Sequence, residues 1–177
     1  MTADTGFTDY KIKPFETIGE QVREWREDGR SLVFTNGCFD LLHAGHARYL
    51  QTASTFGDIF MLGLNSDSSV QKVKGLSRPI MPQADRAFLL SSLEVIDCVV
   101  IFDEETPARL IETVIPDVLV KGGDYLAEDI VGYNTVTKME AGWKLFLLLK
   151  GNRAPAFLTQ LWSSHDHCYG RSRIYRQ

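Results

Sequence analysis

Two histidines, His43 and His46, are spaced so that both side chains would lie on one face of a helix. They follow a short apolar run and a polar turn that contains Gly37, and Gly45 between them removes a side chain where a ligand could come close. The N-terminus of a helix presents unpaired N–H groups and the positive end of the helix dipole, which together favour a phosphate. The segment Val33–His46 therefore predicts a strand, a turn and a helix built to receive a phosphorylated ligand, and a triphosphate would suit it.

The elements that must hold these residues alternate between strands and helices along the chain. Short, nearly continuous apolar runs are typical of parallel strands covered on both faces, and the segments between them have helical apolar spacing. This alternation implies right-handed crossovers, and it predicts an α/β fold with a doubly wound parallel sheet. The predicted strands are Ser31–Thr35, Asp58–Leu64, Asp97–Phe102, Asp117–Val120 and Lys144–Leu149, and the predicted helices are Thr17–Asp28, Ala44–Phe56, Gln83–Leu93 and Thr106–Val114.

Polar segments follow several of these strands. Because ligands of such sheets bind beyond the carboxyl ends of the strands, we expect Asn36–His46, Asn65–Asp67 and Lys121–Tyr125 to meet at one edge. The stretch Gln71–Pro82 has too many helix breakers for a regular element. It is expected to be an ordered loop that carries the cations Lys72, Lys74 and Arg78.

The composition excludes several classes of protein. A chain of 177 residues with 44% hydrophobic and 24% charged residues is expected to fold as one globular domain. Its net charge of -4 argues against a nucleic-acid-binding surface, which would need a basic face. The 3 cysteines are widely spaced and include no C-x-x-C, so neither a disulfide framework nor a zinc site is indicated. With no apolar run long enough for a bilayer, a cytoplasmic protein without membrane association is expected.

Two common phosphate-binding sequence motifs are absent from the chain. Neither G-x-G-x-x-G nor G-x-x-x-x-G-K-[ST] occurs. The pair His43 and His46 lacks a third ligand nearby, which disfavours a metal site.

The segment Asn36-Gly-Cys-Phe-Asp-Leu-Leu-His-Ala-Gly-His46 resembles the His-x-Gly-His signature of the cytidylyltransferase-like nucleotidyltransferases. Within that family, Lys74–Pro79, Pro82–Arg86 and Leu119–Tyr125 resemble the adenylyltransferase domain that makes ADP-heptose from heptose 1-phosphate. The similarity covers roughly residues 15–138, and the motifs agree in order and spacing. It implies a Rossmann-like sheet of this family, ATP and a sugar phosphate as substrates, and release of pyrophosphate.

The resemblance also implies roles for particular residues. The implied catalytic residues, with the histidines donating to the triphosphate and the lysine neutralising it, are His43, His46 and Lys74. The implied nucleotide-binding residues are Asn36, Gly37, Cys38, Phe39, Asp40, Gly45, Lys121, Gly122 and Asp124, and backbone N–H groups around Cys38 and Phe39 would meet the α-phosphate. The implied substrate-binding residues are Lys72, Arg78, Arg86 and Tyr125. Mg²⁺ is expected to bridge the phosphate oxygens, mostly through water and substrate, and a homodimer is a further expectation.

Alternatives to these roles stay open at the level of the sequence. Lys72 and Lys74 could be solvated loop charges, Arg86 an ordinary residue of a helix surface, and Asp40 a helix cap. Cys38 is interpreted as a small turn residue and not as a nucleophile, since no base can be assigned to it. Two other functions compete with the first. One is a cytidylyltransferase for glycerol phosphate or a similar alcohol phosphate, and the other is a catalytically impaired nucleotide-binding protein.

The second of these follows from the C-terminal part of the chain. The expected organisation is a leader over residues 1–15, a nucleotidyltransferase domain over 16–150 and an atypical tail over 151–177. Family members usually carry a Glu-Gly-x-Ser-Thr-Thr type turn after the last strand, and Lys150–Trp162 has none. A codon choice exists that encodes Lys150–Trp162 and, in a neighbouring frame, a Ser-Thr-containing turn. We therefore hypothesise a frame shift from about Met139. The hypothesis would be refuted if the codons of the gene cannot encode Ser-Thr in that neighbouring frame.

Overall fold

The computed structural model describes residues 9–122, 131–132 and 145–149. Within these ranges the strands are β1 (Ile12–Lys13), β2 (Leu32–Gly37), β3 (Ile59–Asn65), β4 (Cys98–Phe102), β5 (Val118–Gly122) and β6 (Leu145–Leu149). All the strand pairs are parallel, and the strands form one sheet in the order β1-β4-β3-β2-β5-β6. This confirms the predicted α/β fold with a parallel sheet, including the predicted strand over Lys144–Leu149.

Helices cover both faces of the sheet because each central strand is apolar on both sides. The helices are α1 (Phe15–Glu27), α2 (Ala44–Ala53), α3 (Asp67–Lys74), α4 (Gln83–Ser91) and α5 (Ala108–Val114), with short 3-10 helices at Asp9–Lys11 and Ser54–Phe56. One face of the sheet packs on α1 and α5, where Phe34 and Met61 are fully buried. The other face packs on α2 and α4, where Val33 and Leu62 are fully buried. The doubly wound arrangement follows from this alternation.

The order of the strands reverses at β2. From β2 the chain runs to β3 and β4 on one side, and it then returns to the other side of β2 to form β5. Val33 and Phe34 pair with Val118 and Leu119, so the carboxyl ends of β2 and β5 lie side by side. In open α/β sheets, the crevice outside the carboxyl ends at such a reversal is where ligands bind.

Aspartates tie the opposite, amino-terminal edge of the sheet together. Asp117 accepts a hydrogen bond from Leu32 N (2.7 Å), and Asp97 accepts one from Phe60 N (2.7 Å). Asp58 accepts from the backbone N–H of Ser31 (2.9 Å) and from its hydroxyl (2.6 Å). These carboxylates satisfy backbone N–H groups where the strands begin.

The predicted start of the loop Gln71–Pro82 is wrong. Helix α3 extends to Lys74, so Lys72 and Lys74 lie on the last turn of a helix and not in a loop. The side chain of Ser66 accepts from Ser69 N and starts this helix, and the breakers begin only at Gly75, whose φ of 92° suits glycine.

The predicted leader is wrong for its last residues. Ile12 and Lys13 pair with Val99 and Val100 as an edge strand, and Phe15 already begins α1. A strand of 2 residues is too short to show a periodic pattern.

Among the helices of the described ranges, none combines the length and apolarity that a membrane crossing demands.

Candidate active site

The turn after β2 brings the two histidines together. His43 lies just before α2 with extended backbone, and its Nδ1 accepts a hydrogen bond from Gly45 N (3.0 Å), so it caps the helix. Its ring stacks on that of His46, with centroids 4.0 Å apart and planes at 27°. A Cβ at residue 45 would lie 2.8 Å from Cε1 of His43, so only glycine leaves this ring in place. The shared position of the histidines at the helix N-terminus is confirmed, although His43 is the cap and not a helical residue.

His46 is the less exposed member of the pair. Its ring also packs edge-on against Phe39, at 5.3 Å between centroids. Its Nδ1 is buried and has no hydrogen-bond partner among the residues that the structure describes. Burial lowers the pKa of His46, and the nearby charges of His43 and Lys74 lower it further, against a smaller opposing effect of the Leu41 backbone. A neutral imidazole is therefore favoured, and Lys74 lies near the histidine pair.

The carboxylate of Asp40 is occupied by the loop that precedes α4. It accepts hydrogen bonds from Ile80 N (2.7 Å), Met81 N (3.1 Å) and the Arg78 guanidinium (2.5 Å). Burial opposes ionisation, but these donors together hold the pKa of Asp40 below its ordinary value. The carboxylate therefore holds the loop against the turn, and the binding of a nucleotide by Asp40 stays a prediction. Arg78 is the partner in this contact, and its role toward substrate stays a prediction.

Arg86 differs most from its expected place. Its side chain is fully buried, so the interpretation as an ordinary surface residue is wrong, while its predicted role toward substrate stays a prediction. The guanidinium donates to the carbonyls of Cys38 (2.6 Å), Asn65 (2.8 Å) and Met81 (3.0 Å). It also forms an ion pair with Asp67 at 2.7 Å. Arg86 thus connects the turn after β2 with the end of β3, the start of α3 and the loop before α4.

At the crevice between β2 and β5, Lys121 reaches across to Asn36. Its Nζ donates to the side-chain oxygen of Asn36 at 2.9 Å and to the backbone oxygen at 3.3 Å. Burial lowers the pKa of Lys121, opposed by a smaller effect of Cys38. These three residues therefore meet at the reversal of the strand order, which is where a nucleotide is expected.

Tyr49 and Thr35, which were not predicted from the sequence, connect the elements on either side of this crevice. The Tyr49 hydroxyl lies 2.5 Å from the Thr35 hydroxyl and donates to Val120 O at 3.3 Å, so it joins α2 to β2 and β5. Burial raises the pKa of Tyr49 well above its ordinary value. A tyrosine one turn after His46 on α2 was the available signal. Asp67 was also missed as a partner of Arg86, although it follows the helix cap Ser66.

The remaining predicted residues fall into three groups. Gly37 and Gly122 are the last residues of β2 and β5, at the crevice. Lys72 Nζ donates to Asp103 O at 3.4 Å, and its role toward substrate stays a prediction. Asp124 and Tyr125 lie outside the described residues.

A protein-held metal is not indicated in the part of the chain that the structure covers. No group of three or more His, Cys, Asp or Glu side chains there could hold a metal ion. The carboxylate of Asp40, within the turn, already accepts hydrogen bonds from the protein. Mg²⁺ held by the phosphate oxygens of a nucleotide and by water stays a prediction.

Comparisons with known proteins agree with this geometry. A family model described as Cytidylyltransferase-like matches residues 34–164. The bifunctional protein HldE of Geotalea uraniireducens (strain Rf4) is 55% identical over 129 residues, which are 73% of this chain and 26% of that protein. HldE of Wolinella succinogenes is 48% identical over 159 residues, which are 90% of this chain and 33% of that protein. The chain thus spans about a quarter to a third of the length of these relatives.

Solved structures share the fold. The lipopolysaccharide core biosynthesis protein from Thermoplasma volcanium GSS1 superposes with a TM-score of 0.57 at 23% identity, covering 72% of this chain and 100% of that one. The pantoate-beta-alanine ligase from Francisella tularensis superposes with a TM-score of 0.58 at 13% identity, covering 81% of this chain and 68% of that one. At such identities the likeness shows the Rossmann-type fold alone.

Proposed function

This chain belongs to the cytidylyltransferase-like family of nucleotidyltransferases, and from that premise we propose that it transfers AMP from ATP to a heptose 1-phosphate. The observation that carries the proposal is the stacked pair of His43 and His46 at the N-terminus of α2, beside the crevice between β2 and β5. The buried Nδ1 of His46 leaves one polar atom of this pair without a protein partner among the described residues. The choice of ATP and of a heptose rests on the resemblance of Lys74–Pro79, Pro82–Arg86 and Leu119–Tyr125 to the ADP-heptose-forming domain.

The proposed reaction is a single displacement at the α-phosphorus of ATP. An oxygen of the sugar phosphate forms a bond to that phosphorus, and the bond from the phosphorus to the oxygen shared with the β-phosphate breaks. Pyrophosphate leaves with that electron pair. No base has to remove a proton, because the attacking phosphate oxygen is already ionised. The protein therefore contributes mainly by positioning and by donors aimed at the charge that develops.

The described residues supply such donors. The substrate is MgATP, whose triphosphate would lie at the N-terminus of α2, with ring N–H groups of His43 and His46 as donors. Lys74 is near enough to His46 to affect its pKa, so it would neutralise phosphate charge on that side. Lys121 would face the nucleotide across the crevice, where Asn36 holds its ammonium.

The test is pyrophosphate release from ATP or CTP in the presence of heptose 1-phosphate or glycerol phosphate. We expect turnover with ATP and heptose 1-phosphate and a much lower rate with the other pairs. Turnover with CTP and glycerol phosphate instead would establish the cytidylyltransferase alternative and refute the proposal.

A second candidate is a catalytically impaired nucleotide-binding protein. It is favoured by the sequence after about Met139, which lacks the Glu-Gly-x-Ser-Thr-Thr type turn. Loss of one donor of that turn to the phosphates costs about 10²–10³ in rate. Calorimetry with MgATP and the pyrophosphate assay, on this chain and on a version with the turn restored, separate the two. Binding by both versions with turnover only in the restored one would support impairment.

A further inference from the structure

We propose that Arg86 is a positioning residue, which fixes the peptide between Cys38 and Phe39 so that the Phe39 N–H faces the phosphate. The part of this inference that concerns catalysis rests on the proposed function. Arg86 comes from α4, and among the described residues its side chain is the largest of the fully buried ones. A charged group so completely removed from water is retained only where each of its contacts is satisfied.

The contact with Cys38 sets the direction of the neighbouring N–H. The Arg86 guanidinium donates to Cys38 O at 2.6 Å, and the same nitrogen donates to Asn65 O at 2.8 Å. In a planar trans peptide, the carbonyl and the following N–H point in opposite directions. Since the Cys38 carbonyl is directed at the buried guanidinium, the Phe39 N–H is directed to the other side of the turn.

Two observations indicate that this peptide is held in place and that its N–H is left for a ligand. Phe39 has a φ of 44°, a region that a bulky residue keeps only when its surroundings impose it. Among the described residues, no backbone carbonyl accepts a hydrogen bond from Phe39 N. The Phe39 side chain is buried and contacts the ring of His46, so the Phe39 N–H lies within the turn that carries the histidine pair.

The other contacts of Arg86 explain why a different cation would not suffice. Its Nε donates to Met81 O at 3.0 Å, and its second terminal nitrogen pairs with Asp67 at 2.7 Å. The planar fork therefore engages four groups in fixed directions. A lysine ammonium keeps the charge but is a single point at the end of a flexible chain, so it cannot reproduce this pattern.

The experiment is steady-state kinetics of Arg86→Lys with MgATP and heptose 1-phosphate. We expect kcat to fall about 10²-fold while KM for ATP changes little, because an N–H aimed at the reacting phosphate acts mainly in the transition state. Arg23→Lys, at an exposed position of α1, controls for the substitution itself. Val114→Ala, in the core on the other face of the sheet, controls for lost stability. A kcat of Arg86→Lys equal to that of Val114→Ala at the same folded fraction would overturn the inference.

A crystal structure of Arg86→Lys gives a readout that does not need activity. We expect the Cys38–Phe39 peptide to rotate, and an unchanged peptide would overturn the inference. If the wild-type chain releases no pyrophosphate, the proposed function fails while this structural test still decides the role of Arg86. If Arg86→Lys does not fold, Asp67→Asn is tested instead, because it weakens only the ion pair of Arg86 with Asp67. We expect a kcat several-fold lower than that of the wild type at unchanged KM. An unchanged kcat there would count against the inference.

Discussion

Replacing Asp40 by asparagine keeps the size of the side chain and removes the charge that receives Arg78 and two backbone N–H groups. A hydrogen bond to a charged acceptor stabilises by about 1.5–3 kcal/mol, against about 0.5–1.5 kcal/mol for a neutral one. The pair with Arg78 adds less than about 1 kcal/mol, since the Arg78 side chain is 41% exposed. Asp40→Asn should therefore lower the free energy of unfolding by about 2–3 kcal/mol, or Tm by about 5–10 °C.

This loss should depend on pH in a defined direction. The pKa of Asp40 is lowered from its ordinary 3.8 in the folded chain. The unfolded chain therefore binds the proton first as the pH falls, so the stabilisation by the carboxylate is fully present above 3.8 and is lost as the pH falls through the folded pKa. The difference in unfolding free energy between the wild type and Asp40→Asn should shrink below pH 3.8.

Urea unfolding at several pH values measures the difference in unfolding free energy between the wild type and Asp40→Asn. The pyrophosphate assay measures how the substitution changes activity. The matched control is Asp58→Asn, whose carboxylate also accepts hydrogen bonds but lies at the amino-terminal edge of the sheet, away from the turn. Asp40→Asn should lower kcat/KM through the displaced loop, whereas Asp58→Asn should lower stability alone. Equal activity of the two variants, or a stability difference that persists at low pH, would refute the reasoning.

Further outcomes are expected for variants of Gly45, Gly19 and His46. Gly45→Ala should impair turnover with a modest loss of stability, because its Cβ would lie 2.8 Å from the His43 ring and displace the cap; retained turnover would contradict this role. Gly19→Ala is the matched control within a helix, where the Cβ would meet its nearest neighbour at 3.6 Å, and it should raise the unfolding free energy by about 0.5–1 kcal/mol at full activity. His46→Ala should abolish turnover while leaving thermal stability nearly unchanged, and a large drop in Tm would instead make the ring structural. Since burial lowers the pKa of His46, the unfolded chain binds the proton first as the pH falls below the ordinary value of 6.5, which lowers the free energy of unfolding of the wild type. The free energy of unfolding of His46→Ala should therefore depend less on pH in this range.

Local patterns were sufficient for most of the fold. The strand over Ile59–Asn65 and the helix over Gln83–Ser91 were predicted within two residues at each end, because their apolar periodicity and flanking breakers are contained in the segments themselves. The end of α3 was misplaced, since the clustered charges of Lys72 and Lys74 resembled a loop. The edge strand Ile12–Lys13 was missed because its only support is pairing with a strand far along the chain.

The sequence by itself determined the turn that carries the histidine pair, since His43, Gly45 and His46 lie within four consecutive residues and their spacing is local. It also placed Lys121 at a strand end, where parallel strands share one edge. Only the tertiary structure decided what Asp40 and Arg86 do. Arg86 and Cys38 are 48 positions apart, and nothing in the local pattern around Arg86 distinguishes a solvated helix arginine from a buried one. Its partners are mostly backbone carbonyls, which carry no sequence signal until the chain has folded around the guanidinium.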